Sequence, residues 1–388
     1  MGGEAIKYDA SQIEVLDGRE AIRRRPGMYV GSTSKRGLHQ LVYEVINPAV
    51  NEVLAGRATS IDVTLTPGGG VRVADDGPGI PFEGPSDTGG PGLETQLTQA
   101  YAGADPRSRH APILGLLGMG LFVANALSSQ LTAEVQRDGV RWVQHYGRGL
   151  ATTPPTDAGP ATENGTTIAF QPDTDIFGTA ECSFDTLAAR FKELAFLNRD
   201  LDISLTDERN PAEPRSARYR FPDGTRDSVT FLDPHKGAPL HPDVIGFDWD
   251  DPQVAGTVEI AFQWCSSSEE RIQSFANSQP TPGGGTHADG FLDGMTAAVN
   301  AYARERRLLT ATDPELHPDR IRKGLIAVVS VKLDDPVFLG ATHGALGGHN
   351  VRARIAQAVQ KHLKRWLDKH PAQAAAIIDH IIRGACRD

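Results

Sequence analysis

The sequence predicts an α+β protein of two domains in series. Two observations carry this. Apolar residues at Leu41, Val42, Val45, Ile46, Ala49, Val50, Val53 and Leu54 form one stripe of an amphipathic helix, and strand-like segments follow it closely. A polar, proline-containing stretch, TDERNPAEPRSARYRFPDGTRD at 206–227, then separates this half from a second set of strands and helices. The expected domains are 1–220 and 221–388.

Along the first half, RPGMYVG (25–31) reads as a Pro-Gly turn into a short apolar segment, and the helix of 41–54 comes next. SIDVTLTPGGGVRVADDGPGIP is two strands around a glycine turn. Residues 84–115 carry Gly, Pro, Asp and Arg without periodicity and read as a long mobile loop, a candidate lid. LGLLGMGLFVANALSS is a glycine turn feeding a helix, and LTAEVQRDGVRWVQHY a hairpin with Asp-Gly at its tip. In the second half GTVEIAFQW, IQSFANSQ and GLIAVVSVKL read as strands. HADGFLDGMTAAVNAYARE and NVRARIAQAVQKHLKRWLDKH read as helices.

Composition narrows the function classes. The 388 residues suffice for two cores, and no apolar run is long enough for a membrane span or a secretory signal. The three cysteines, Cys182, Cys265 and Cys386, show no metal or disulfide spacing, which suits a cytoplasmic protein. A net charge of −10 argues against DNA binding by the chain on its own; a local basic stripe such as HLKRWLDKH reads by default as a solvated helix face. No lysine occurs between Lys35 and Lys192, so a phosphate site in that interval must do without one.

Three short motifs could carry chemistry. In YEVINPAVNE, Glu44, Asn47, Pro48 and Asn51 lie opposite the apolar stripe, where a carboxylate can act as general base on water. A solvated glutamate is the plainer reading of that residue alone. In ADDGPGIP, Asp75 and Asp76 end a strand before Gly77 and Gly79, which allow close backbone approach. In LGLLGMG, Gly115, Gly118 and Gly120 at a helix start can free amides toward a phosphate.

In this order, and with GREAIRRRPGMYVG, NGTTIAF, RFKELAFLN, GGGTH and GLIAVVSVKLDDPVF, the chain closely resembles the ATPase and transducer segment of the gyrase B / topoisomerase IV E subunit family, within the GHKL superfamily. The resemblance covers roughly residues 8 to 385 and stops where that family would begin its metal-binding cleavage domain. It implies a GHKL (Bergerat-type) α/β sandwich that holds ATP or ADP, then a ribosomal-protein-S5-like transducer domain. It also implies a homodimer formed through an N-terminal arm, with Tyr8 matching the arm tyrosine. Glu44 matches the general base, Asp75 the acid that accepts the adenine amino group, and Thr166 a threonine beside adenine. Gly79, Gly115, Gly118 and Gly120 match glycines along the nucleotide.

The departures lie on the metal and phosphate side. Pro48 stands where the family has its magnesium-binding Asn, and its ring is expected to kink the helix at Glu44. That leaves no assigned metal ligand, with Asn47 as a candidate substitute. Leu117 replaces the lid histidine, and only Arg107, Arg109 and His110 offer lid cations. Ala341-Thr342-His343 replaces the Gln-Thr-Lys γ-phosphate sensor. Two arginines that contact aminocoumarins in the family align with Pro78 and Val143. Three readings follow. The first is a pseudo-ATPase that keeps adenine-side binding while magnesium-dependent hydrolysis is impaired or lost. The second is a cleft turned over to a small molecule, in natural-product biosynthesis or antibiotic self-resistance, with Glu44 and the Asp75/Asp76 pair as acid and base. The third is an active topoisomerase ATPase fragment.

Overall fold

The computed structural model describes residues 17–82, 84, 92–100, 119–231, 237–310, 312–340 and 344–383. The chain opens with α1 (Gly18–Arg24), whose N-cap Asp17 accepts from the Glu20 amide, and α2 (Gly27–Val30) at the Pro-Gly turn. The long helix α3 (Lys35–Leu54) follows. Strands β1 (Ser60–Leu65) and β2 (Val71–Asp75) are antiparallel, as the glycine turn implied. Within the stretch expected to be loop, α4 (Leu93–Thr98) forms a helix, because Leu93 and Leu97 are buried in the core. Four-residue spacing in so short an element gives too little periodicity to read.

Next come α5 (Gly120–Ala126), β3 (Ser128–Arg137) and β4 (Val140–Gly147). Asp138 and Gly139 at the hairpin tip have φ of 53° and 79°, the left-handed pair that a two-residue turn requires. β5 (Leu150–Ala151), β6 (Thr156–Pro160) and β7 (Gly165–Pro172) complete this region, followed by α6 (Thr174–Phe177) and α7 (Phe184–Leu197). The polar stretch at 206–227 is not a bare linker. It carries the end of β8 (Asp202–Asp207), all of β9 (Arg215–Tyr219) and the start of α8 (Thr225–Phe231). Arg209 ties its turn down by bonding Asp207 and the Cys182 carbonyl. The first sheet runs β5-β4-β3-β7-β2-β1-β8-β9, with β6 on β4. Its alternating inward residues, such as Ile61, Val63 and Leu65, meet the buried stripe of α3.

The second half holds β10 (Ile245–Asp251), β11 (Gly256–Trp264), β12 (Arg271–Ala276), β13 (Gln279–Pro280) and α9 (Thr286–Glu305). After α10 (Pro318–Ile321) and β14 (Leu325–Leu333) come the short pair β15 (Phe338–Leu339) and β16 (Ala345–Leu346). The helices α11 (His349–Lys369) and α12 (Pro371–Arg383) end the described chain. The sheet order is β10-β11-β14-β12-β13. β11 and β14 are buried on both faces. Val258, Ile260 and Phe262 point into the core that contains residues of α9 and α11, while Ala261, Ile326 and Val328 join Phe196 and Leu197 of α7. Burial on two sides explains why these strands read as unbroken apolar runs. Glu259 on β11 adds a polar joint, accepting from Arg199 at 2.7 Å and from the Thr225 hydroxyl at 3.2 Å.

No helix among the described residues is long and apolar enough to cross a membrane. Cys182 and Cys265 are buried, and burial pushes the Cys182 thiol up to about 12.

Candidate functional site

The site is built on the face of α3 turned away from the sheet. That face was expected to be polar and open, yet Glu44 is 1% exposed. Gly120, the first residue of α5, is what covers it. A Cβ there would stand 3.2 Å from the Glu44 Cβ and run into the carboxylate, so only glycine lets α5 come this close. Gln40, one turn before Glu44, donates from Nε2 to Glu44 Oε1 at 2.8 Å. Gln40 is absent from the candidates read in the sequence, although its i, i+4 spacing to Glu44 is visible there.

α3 runs as one continuous helix through Pro48. The ring removes an amide donor, and burial of the helix's apolar stripe in the core offsets that loss. Asn47 and Asn51 share the Glu44 side of the helix. Their Oδ1 atoms are buried and have no hydrogen-bond partner among the described residues. Such an orphaned amide oxygen normally has a reason to be there.

The second wall is the end of β2. Asp75 stands opposite Thr166 of β7 in the ladder, and its Oδ1 accepts the Gly77 amide at 2.9 Å. Burial pushes the Asp75 carboxyl up to about 7. The Gly77 and Thr166 amides pull it back down, while the charges of Glu52 and Asp76 raise it further. The Thr166 hydroxyl accepts the Ile80 amide at 3.0 Å. Gly77 is the contact between the walls, since a Cβ there would lie 2.8 Å from Asp75 Oδ1 and 3.5 Å from the Glu52 Cβ. Glu52, on α3, is buried and bonded to Arg57 Nε at 2.8 Å. This pair too is missing from the sequence candidates, because a charge at a helix end looks solvated in sequence. Glu44 and Glu52 are eight residues apart on α3, or about 12 Å along the axis. The candidate site thus runs from Glu44 at one end to Asp75 at the other.

Asp76 does not join Asp75. It accepts from the amides of Thr59 at 2.7 Å and Ser60 at 2.9 Å, and from the Thr59 hydroxyl. Burial alone would raise its pKa, but these bonds outweigh it and hold the carboxyl below the usual value. Its bonds tie the start of β1 to the end of β2. Gly79 has φ +77°, and a Cβ there would meet the Gln136 carbonyl at 2.6 Å. Its own carbonyl accepts from Arg137 Nη1 at 3.0 Å. Tyr8, Gly115, Gly118 and His343 lie outside the described residues, as do Leu117, the lid cations and the rest of the 341–343 segment. Pro78 and Val143 are half-buried.

Among the described residues no cluster of His, Cys, Asp and Glu forms a metal centre. Magnesium takes six hard oxygen ligands and usually draws only one or two of them from the protein. Pro48 offers none, while the buried Asn47 Oδ1 has that chemistry.

Comparison with known proteins gives a consistent picture. Residues 33–176 match the family described as histidine kinase-, DNA gyrase B-, and HSP90-like ATPase, and residues 224–387 match DNA gyrase B. The DNA gyrase B protein of Streptomyces coelicolor is 44% identical across 99% of this chain and 58% of its own length. The novobiocin-resistant DNA gyrase B protein of Streptomyces niveus is 42% identical across 97% of this chain and 58% of its own length. The chain therefore spans about three-fifths of the length of these relatives. Among solved structures, the 43K ATPase domain of Thermus thermophilus gyrase B, in complex with an aminocoumarin, superposes with a TM-score of 0.81. The identity is 30%, over 95% of each chain. The ATP-binding domain of Francisella tularensis topoisomerase IV gives 0.75 at 28% identity, over 95% of this chain and 96% of that one.

Proposed function

Because the chain belongs to the gyrase B family, as its GHKL ATPase and transducer segment, we propose that the cleft between α3, α5 and β2 binds ATP or ADP and hydrolyses ATP weakly or not at all. The contrast between the two ends of the cleft carries this reading. At the adenine end, Asp75, Gly77 and Thr166 form a connected acceptor and backbone set. At the phosphate end, Pro48 presents a ring with no donor or acceptor on the face that holds Glu44.

Asp75 accepts the exocyclic amine of adenine, and its ionised form is the better acceptor. Glu44, fixed by Gln40, orients and deprotonates the water that would attack a γ-phosphate. Magnesium, if taken up, would be held by Asn47, where it would neutralise charge on the phosphates. The protein pairs as a homodimer in this reading. DNA and a second gyrase component are partners of the longer relatives' architecture, proposed here only through it.

The reading of an active ATPase has one observation of its own: Glu44 is anchored and Asn47 Oδ1 lies buried without a partner among the described residues, ready for a cation. The reading of a repurposed acid/base cleft loses its pair, because Asp76 is committed to Thr59 and Ser60. Nucleotide calorimetry and phosphate release, each with and without magnesium, separate the cases. We expect ADP binding that Asp75→Asn weakens, with little magnesium-dependent turnover. Turnover at the level of an ordinary gyrase ATPase domain, abolished by Glu44→Ala, would restore the active reading. Failure of any nucleotide to bind would remove both.

A further inference from the structure

The helix α3 carries two acids, Glu44 and Glu52, and both are buried. The Glu52 side chain is 7% exposed and receives Arg57 Nε at 2.8 Å, from the turn that follows the helix. The main chain already closes this helix end, since the amides of Arg57 and Ala58 donate to the Glu52 carbonyl at 2.9 and 3.2 Å. A buried carboxylate is costly even when it is paired, so closing the helix does not account for the charge.

Gly77 brings the pair to Asp75. Its amide donates to Asp75 Oδ1 at 2.9 Å. A Cβ there would lie 2.8 Å from that oxygen and 3.5 Å from each of the Glu52 and Ala58 Cβ atoms, so glycine keeps this meeting point free of a side chain. The residues that face Asp75 from the neighbouring strands are uncharged, Ile61 on β1 and Thr166 on β7. On its own strand, Asp76 is engaged by Thr59 and Ser60. Burial is the largest cause that takes the Asp75 carboxyl up to about 7. The Gly77 and Thr166 amides lower it, and the charges of Glu52 and then Asp76 raise it.

We propose that Glu52, held by Arg57, is a positioning residue that acts through Asp75 and sets the pH at which the site accepts the exocyclic amine of adenine. This rests on the nucleotide reading of the cleft. The ionised Asp75 is the better acceptor, so nucleotide affinity rises with pH as Asp75 loses its proton. The negative charge of Glu52 keeps that proton on, and the Arg57 guanidinium tempers the charge.

Calorimetric titration of the full chain with ADP, from about pH 5.5 to 8.5 without magnesium, gives the midpoint of the rise. Glu52→Gln should move the midpoint down by about half a pH unit or more, and Arg57→Gln should move it up. A purely structural role would instead lower affinity evenly across the range. An unmoved midpoint in Glu52→Gln, shifts of the same sign in both variants, or an even loss in both overturns the proposal. A second measurement needs no nucleotide. In melting curves of the ligand-free protein at pH 8, Asp75→Asn should raise Tm less in a Glu52→Gln background than with Glu52 in place, because one charge opposing the ionised Asp75 is gone. Equal gains in the two backgrounds overturn the positioning role whether or not ADP binds. Unequal gains in a protein that binds no ADP would uphold the coupling of the two carboxylates and remove the nucleotide reading alone.

Discussion

Asp75 shows how much one residue's setting can differ from its sequence appearance. In ADDGPGIP the two acids look equivalent, yet Asp75 is driven up to about 7 while Asp76 is held low by three bonds to Thr59 and Ser60. A carboxyl whose folded pKa exceeds its unfolded value of 3.8 keeps its proton in the native state over that interval. Stability from this group is therefore greatest below pH 4 and falls as pH rises toward 7. Asp75→Asn removes the cost of a buried charge while keeping an acceptor for Gly77. We expect it to raise the stability of the nucleotide-free protein at pH 8 by on the order of 1 kcal/mol or more, with little effect at pH 4. The same variant should lose adenine binding. Melting curves at the two pH values check the first part, and an unchanged Tm at pH 8 would show that Asp75 is not buried as described.

At the scale of the element, α3 carries a proline in its interior without breaking. The intrinsic cost of an interior proline is about 3 kcal/mol, and the buried stripe from Leu41 to Val53 offsets it. Pro48→Ala is therefore expected to stabilise the protein by about 1–3 kcal/mol, measured by urea unfolding. Pro48→Asn separates use from neglect. If Pro48 shapes the pocket, as we expect, the variant gains no magnesium-dependent ATP turnover and binds its native ligand less well. New turnover together with tighter Mg·ATP binding would instead mark Pro48 as a simple lesion in an ATPase. Legibility in the sequence also varies by element. GTVEIAFQW and GLIAVVSVKL are legible as strands because both their faces are buried. α4 is not legible, since six residues leave no period to measure.

For the whole molecule, α7 packs against the second sheet through Phe196 and Leu197, and Glu259 receives Arg199 and Thr225 at the same junction. A change at one half's cleft thus has a packed route to the other half. The resemblance places the family's γ-phosphate sensor at Ala341-Thr342-His343, and on the proposed function pairing of two chains should therefore not wait for ATP. We expect a dimer by light scattering in the absence of nucleotide, with less than about a twofold change in dissociation constant on adding a non-hydrolysable ATP analogue. A monomer that pairs only with the analogue would show that the sensor still works.

The sequence by itself determined the family, the order of the main elements and the identity of Glu44, Asp75 and Thr166 as candidates. These are carried by local periodicity and by motifs whose residues stand close together in the chain. Only the tertiary structure decided what each carboxylate can do. Asp75 and Asp76 were separated by what lies across the sheet, Glu44 was buried by Gly120 from 76 positions away, and Glu52 was brought to Asp75 by the packing of α3 beside β2. Desolvation and charge–charge distance are set by neighbours in space, and no spacing along the chain encodes them.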